Sequence, residues 1–456
     1  VLSRRSLLRT AGLGAGVLSS GRLGRGERPR PAVGHLLRPR RGAFTFVSTP
    51  DFFNGDVADL SVLPTWDGGA NSVNSSWETA IDTCLGAVAA HRPDAVFVAG
   101  DLVEGHWNID SDDRRLFGKV SQGSDPVSLA GCRSAITAAG DVYYGYYRRL
   151  FADRGLRLYP ALGDHEILDD RFAEDVDDRW SPSGHLTEGP HAGEPDNRWH
   201  LVPHAKEVWA RHFTRTSGGG HRFSNRPRGS AAEDTAYAVD LGPHLTLVTV
   251  DVFRHHPGGV EMGLDQVQLA WLRDTVRTAK RAGRVVIVQG HAPLVRPVRT
   301  FSTGGLHVSG GEHSALYRAL ADTGADFYFC GEVHDTTVVA GRGRGPIQIS
   351  HGSVFRAAFN YLVGQVHADG TTHLDYYEIP MLTASREEGL WASDRRKQQR
   401  TEIRYGEPVL AGRLVVKGGR ILQRSGKLGV YLPFFDTQQY DGNLATVTYR
   451  MPRAPH

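Results

Sequence analysis

Five short stretches of the chain set acidic residues and imidazoles just past apolar runs. AFTFVSTPD ends in Asp51, DAVFVAGD in Asp101, and RLYPALGDHE carries Asp164 and His165. VVIVQGH ends in His291, and DFYFCGEVH presents Glu332 and His334. Each run has the length of a buried strand, and each polar residue falls where such a strand leaves its sheet. In open α/β sheets, ligands gather outside the carboxyl ends of strands, where a rigid sheet holds converging loops. If these ends share one edge, Asp51, Asp101, Asp164 and Glu332 crowd together with His165, His291 and His334. Uncompensated, so many like charges cost several kcal/mol or force protonation. Metal ions are the natural compensation.

The elements that must position these groups are legible as alternating strands and helices. Strands are expected at 43–48, 94–101 and 157–166, two more joined at Gly242-Pro243 within 237–253, then at 285–294 and 326–334. Residues 77–91 have helical spacing, with Ile81, Leu85, Val88 and Ala89 near one face. Residues 265–283 form a second predicted helix, with Val267, Leu269, Leu272 and Val276 as its buried positions and Gly283 as its stop. A further helix is expected at 206–213. This alternation argues for an α/β sheet-and-helix architecture with parallel segments.

The ordered series of Asp51, GDLVE, GDHE, GH and GEVH resembles the calcineurin-like metallophosphoesterase superfamily, which includes the purple acid phosphatases. The family pattern runs Asp-x-His, Gly-Asp-x-x-(Asp/Asn/Tyr), Gly-Asn-His-(Asp/Glu), Gly-His and Gly-His-x-His. The likeness extends over about residues 43–380. It implies a four-layer α/β/β/α sandwich of two mixed sheets and hydrolysis of a phosphate ester by a metal-activated water. Carried over residue by residue, it implies that Asp101 bridges two metal ions. Asp51 and His334 then complete the first site, and Asp164, His291 and Glu332 the second. His165 faces the substrate phosphate instead, stabilising charge and helping the leaving group. Two cations about 3.5–4 Å apart suit this chemistry, one activating water and both holding phosphate oxygens. Arg296 is a weaker candidate for contact with the phosphate.

Three positions depart from the family pattern. Phe53 stands where relatives carry the first histidine, Asp164 replaces asparagine, and Glu332 replaces the first histidine of the last motif. The first metal thus lacks a nitrogen ligand unless Asn54, Asp56 or Glu104 takes its place. Glu104 occupies the position of the tyrosine ligand of purple acid phosphatases, so an iron–tyrosinate bond is not expected. The changes make the site harder and more anionic, which favours manganese or iron, divalent or trivalent, with zinc as the alternative. Asp51 after Pro50 also reads as a turn residue, and Glu332 equally as a hydrogen-bond partner of a ligand. Phe53 and Glu332 keep a second function open: a metal-stabilised binding or scaffold protein of the same fold without turnover.

Composition removes other classes. The net charge of +3 comes mainly from arginine-rich ends, and no basic stripe interleaved with aromatics indicates a nucleic-acid partner. The three cysteines, Cys84, Cys132 and Cys330, include no Cys-x-x-Cys pair, which argues against a disulfide framework or a local thiolate zinc site. Cys84 and Cys330 are expected as buried thiols, and the YYGYY run at 143–147 as packing. Arg4 and Arg5 precede a short apolar stretch from Leu7 to Leu18, a pattern similar to a twin-arginine export signal. That stretch is too short for a membrane span, and no other run is long enough. The expected organisation is a signal and linker over 1–42, the metallophosphoesterase domain over 43–380 and a charged linker with a β-rich extension over 381–456. Within the domain, a Gly- and Pro-rich insertion at about 175–235 is placed near the metal cleft.

Overall fold

The computed structural model describes residues 43–49, 75–103, 128–167, 198–256, 259–295, 307–333, 336–341, 343–350, 358–383 and 403–428. Residues 1–42, where a twin-arginine-type signal and a linker are expected, lie outside them. The chain opens with strand β1 (Phe44–Thr49), helix α1 (Ser75–Ala90), β2 (Ala95–Val98), helix α2 (Leu129–Ala152) and β3 (Leu158–Pro160). Helix α3 (Val202–Phe213) follows. A second group comprises β4 (Tyr237–Leu241), β5 (Leu245–Thr249), a ribbon of β6 (Phe253–His256) and β7 (Gly259–Met262), helix α4 (Gln266–Arg281) and β8 (Val285–Gln289). It continues through helix α5 (Ala315–Thr323), β9 (Phe327–Cys330), β10 (Thr337–Ala340) and β11 (Ile347–Ser350). The chain then returns with β12 (Ala358–Val366), β13 (Thr371–Thr383), β14 (Ile403–Tyr405), β15 (Val409–Lys417) and β16 (Arg420–Gly426).

These strands form two large mixed sheets. One is ordered β16-β15-β13-β12-β1-β2-β3, with β14 on β13; the other is ordered β10-β11-β9-β8-β5-β4. Strands from the region beyond residue 403 therefore extend the first sheet rather than building a separate one. Within it β1, β2 and β3 are parallel, with Thr49 opposite Val98 and Val98 opposite Pro160. In the second sheet β5, β8, β9 and β11 are parallel, with Thr249 opposite Gln289 and Gln289 opposite Phe329. Parallel strands buried on both faces read as continuous apolar runs, as AVFV and the first four residues of VVIVQ do. Their carboxyl ends fall level, so each sheet delivers its loops to one edge.

The two sheets face one another. The Phe46 ring of β1 stacks on Phe97 of β2 and meets Phe329 of β9 across the interface, at a centroid distance of 6.1 Å. Tyr237 Oη donates to the Pro160 carbonyl at 2.8 Å, and Gln289 Nε2 donates to the Tyr159 carbonyl at 3.0 Å. Helices cover the outer faces. At the end of α1, His91 hydrogen-bonds Tyr361 Oη at 3.1 Å and packs on Tyr377, tying that layer to β12 and β13. Helix α4 buries Leu269, Leu272 and Val276 against the second sheet, and Asp265 caps its first turn by accepting from the Gln268 amide at 2.7 Å. The result is the four-layer mixed α/β sandwich that the family resemblance implies.

Several local expectations change. Val267 is exposed, not buried: it lies two residues before Leu269, about 200° around the helix from it. The strands are shorter than read, ending at Val98, Pro160, Gln289 and Cys330, so Asp101, Asp164, His165, His291 and Glu332 all lie beyond their strands. Cys84, Cys132 and Cys330 are buried and form no disulfide with one another. Tyr143, Tyr144 and Tyr147 are buried on α2, which packs against α3 with Gly140 close to Val208. Among the described residues, no helix is long and apolar enough to cross a membrane.

Candidate metal centre

The first sheet supplies two carboxylates on two tight loops. After β2 the backbone turns through Gly100, at φ 105°, and Asp101, at φ 55°. A Cβ at Gly100 would lie 2.6 Å from His291 Nδ1, so only glycine admits the histidine there. Asp101 is held in its left-handed conformation by a neighbour from the next loop. Glu166 Oε2 accepts the Asp101 amide at 2.8 Å, and Oε1 accepts the Leu102 amide at 2.6 Å. The same Oε2 accepts the Gly163 amide at 2.7 Å. The loop after β3 thereby lies against the loop after β2, and the His165 amide donates to Asp101 Oδ1 at 3.2 Å.

The second sheet supplies an imidazole and a third carboxylate. His291 is fully buried, and its Nδ1 lies 2.8 Å from the Ala99 carbonyl. A carbonyl only accepts, so Nδ1 carries the proton and Nε2 presents a lone pair. Around that lone pair stand Asp164 Oδ1 at 2.8 Å, Asp101 Oδ2 at 3.3 Å and Glu332 Oε2 at 3.5 Å. Glu332 reaches this point from a backbone at φ 63°, one residue after Gly331, whose amide donates to the His291 carbonyl at 2.9 Å.

A neutral imidazole nitrogen facing three buried carboxylates has acceptors opposed to acceptors, an arrangement stable only with a positive charge among them. The donors fit a metal ion: carboxylate oxygens with one imidazole, its second nitrogen fixed by a carbonyl as ligating histidines are fixed. Asp164, His291 and Glu332 each offer an atom within 4.8 Å of the others, and so do Asp101, Asp164 and His165. Burial alone would raise the Asp164 carboxyl. Positive charge on His165, and on His291 when it is doubly protonated, holds it well below the usual carboxylate range. A metal ion at the same point would do the same for a neutral His291. Burial raises the Glu166 carboxyl, against the opposing pull of the Asp101, Leu102 and Gly163 amides.

The structure thus gathers five of the sequence candidates, Asp101, Asp164, His165, His291 and Glu332. The grouping of Asp164, His291 and Glu332 corresponds to the set that the resemblance implies for the second metal. His165 borders the ligand set, with Nε2 3.9 Å from Asp101 Oδ2. Asp51 and His334, implied for the first metal, lie outside the described residues, as do Phe53, Asn54, Asp56, Glu104 and Arg296. Sequence reasoning gave Glu166 no role, and its only signal was the last place in GDHE. The described part of the insertion is tied to the loop after β5, since Lys206 Nζ on α3 donates to buried Asp251 at 2.7 Å. Asp251 also accepts the Phe253 amide, and the Phe253 ring lies 6.3 Å from that of His291.

A family model for the calcineurin-like phosphoesterase matches residues 55–336. No curated protein matches the chain. Among solved structures, a dimetal phosphatase from Danio rerio is 14% identical, covering 74% of this chain and 96% of its own, with a TM-score of 0.42. A purple acid phosphatase from yellow lupin (Lupinus luteus) seeds is 11% identical, covering 75% of this chain and 52% of its own, with a TM-score of 0.43. A putative 5'-nucleotidase from Staphylococcus aureus is 12% identical, covering 71% and 51% respectively, with a TM-score of 0.36. The chain spans about half the length of the last two.

Proposed function

The chain belongs to the calcineurin-like phosphoesterase family, and from that premise we propose that it is an exported hydrolase of a small phosphate ester working with two metal ions. The observation that carries the reading is the lone pair of His291 Nε2 ringed by Asp164, Asp101 and Glu332 on a buried edge. Asp164, His291 and Glu332 would hold one ion, with Asp101 shared toward a second. Asp51 and His334 are the proposed further ligands. The oxygen-rich donor set favours manganese or iron over zinc. Such ions supply Lewis-acid charge for phosphate oxygens and lower the pKa of a water.

This chain's own residues supply the rest. Glycines at 100 and 163 let the two carboxylate loops meet, and the Ala99 carbonyl fixes the His291 tautomer. His165 is proposed to protonate the leaving-group oxygen. The test is hydrolysis of a chromogenic phosphate ester with added manganese, in wild type, Asp101→Asn and His165→Ala. Asp101→Asn should lose metal and activity together, whereas His165→Ala should keep metal and lose turnover. Retained activity in both variants would remove the mechanism. The departures at Phe53 and Glu332 favour a second reading, a metal-stabilised binding protein. Two bound metals with no turnover by wild type would establish it instead.

A further inference from the structure

We propose that Glu166 is a positioning residue that sets the distance between Asp101 and Asp164 by holding the amides of residues 101, 102 and 163 on one carboxylate. The inference rests on the metal-centre reading above. Glu166 is fully buried, and both its oxygens are used: Oε2 by the Asp101 and Gly163 amides, Oε1 by the Leu102 amide. These donors belong to two different loops, one after β2 and one after β3. Each loop carries one of the carboxylates that face His291 Nε2. Asp101 takes up the left-handed conformation, which residues bearing a Cβ generally disfavour. Two consecutive amides aimed at one carboxylate supply the missing preference. Glu166 also sits one helical step from His165, whose amide reaches Asp101 Oδ1 from the same short turn. The residue therefore fixes three features at once: the Asp101 backbone, the closeness of Gly163 and the placement of the turn bearing Asp164 and His165.

Glu166→Gln preserves shape and one acceptor oxygen but turns an NH2 group against a backbone N–H. Metal-free wild type, Glu166→Gln and Glu166→Asp are titrated with manganese by calorimetry, well below their unfolding temperatures. Thermal unfolding of each metal-free protein is measured alongside. Val276→Ala, in α4 against the second sheet, serves as a variant destabilised away from the centre. A positioning role predicts manganese affinity about 10- to 100-fold weaker in Glu166→Gln. Glu166→Asp, shorter by one methylene, should fall between it and wild type. Val276→Ala should lose thermal stability with unchanged affinity. Wild-type affinity in Glu166→Gln overturns the proposal, as does an equal loss in Val276→Ala. Should Glu166→Gln not fold, Glu166→Asp decides, and wild-type affinity there overturns it. If wild type itself takes up no manganese, the metal-centre reading falls and takes this inference with it, before any variant is compared.

Discussion

Gly163→Ala is a sharp perturbation of the centre that removes no titratable group. A Cβ at this position would stand 2.1 Å from Asp101 Oδ1, 2.4 Å from the Asp101 backbone nitrogen and 2.7 Å from Glu166 Oε2. A carboxylate oxygen can swing away, but the backbone nitrogen is fixed by its place after β2. Ordinary contact begins near 3.4 Å, so the two loops must part by roughly 1 Å. Metal–ligand bonds tolerate deviations of only about 0.2 Å. Asp101 and Asp164 therefore cannot both keep their places. Misplacement on this scale costs about 100-fold in rate, equivalent to about 2.7 kcal/mol of transition-state stabilisation. The assay is hydrolysis of a chromogenic phosphate ester over a manganese series, with bound metal determined by elemental analysis. Rate and metal content should fall together while the circular dichroism spectrum is retained. A Gly163→Ala enzyme with wild-type rate and two bound metals would refute the argument that loop contact sets the donor spacing.

Two further outcomes are expected. Burial pushes His91 down to about 4 in the folded protein, from an ordinary value of 6.5. The unfolded chain then binds the proton more readily than the native state, so stability falls as pH drops below 6.5 and the loss is complete below about 4. Urea unfolding should show wild type losing about 2 kcal/mol more than His91→Phe between pH 7.5 and pH 5; parallel curves would remove His91 as the source. Separately, replacing Arg4 and Arg5 together by lysine should leave the protein in the cytoplasm, as fractionation and blotting would show, and normal export of that variant would refute the twin-arginine assignment.

The polar exits were legible because a buried parallel strand leaves an unmistakable apolar run, and a glycine followed by an acid or histidine marks its end. Asp101, Asp164, His165, His291 and Glu332, which the structure brings together, were singled out this way. What the sequence hid is mostly what tertiary contact decides. Glu166 looks like any acid in a loop until the amides of two separate segments converge on it. Helix α2 shows no clean polar face, because it is buried along much of its length and carries Gly131, Gly140 and Gly145. Val267 was misplaced because hydrophobicity outweighed angular position, although its neighbour Gln268 is the buried one, bonded to the Asp251 backbone. The β12–β13 hairpin went unread even though Asp369-Gly370 lies at its turn, with Gly370 at φ 78°.

Asp101 and Asp164 come from one sheet, His291 and Glu332 from the other. Neither half of the sandwich owns a complete set of donors, so a cation gripping all four would rivet the halves together. Chemistry and assembly then share one fastener. An intermediate with a single finished sheet would have no such set of donors, and removing a cation bound there would slacken the join that the Phe46 and Phe329 rings hold from within.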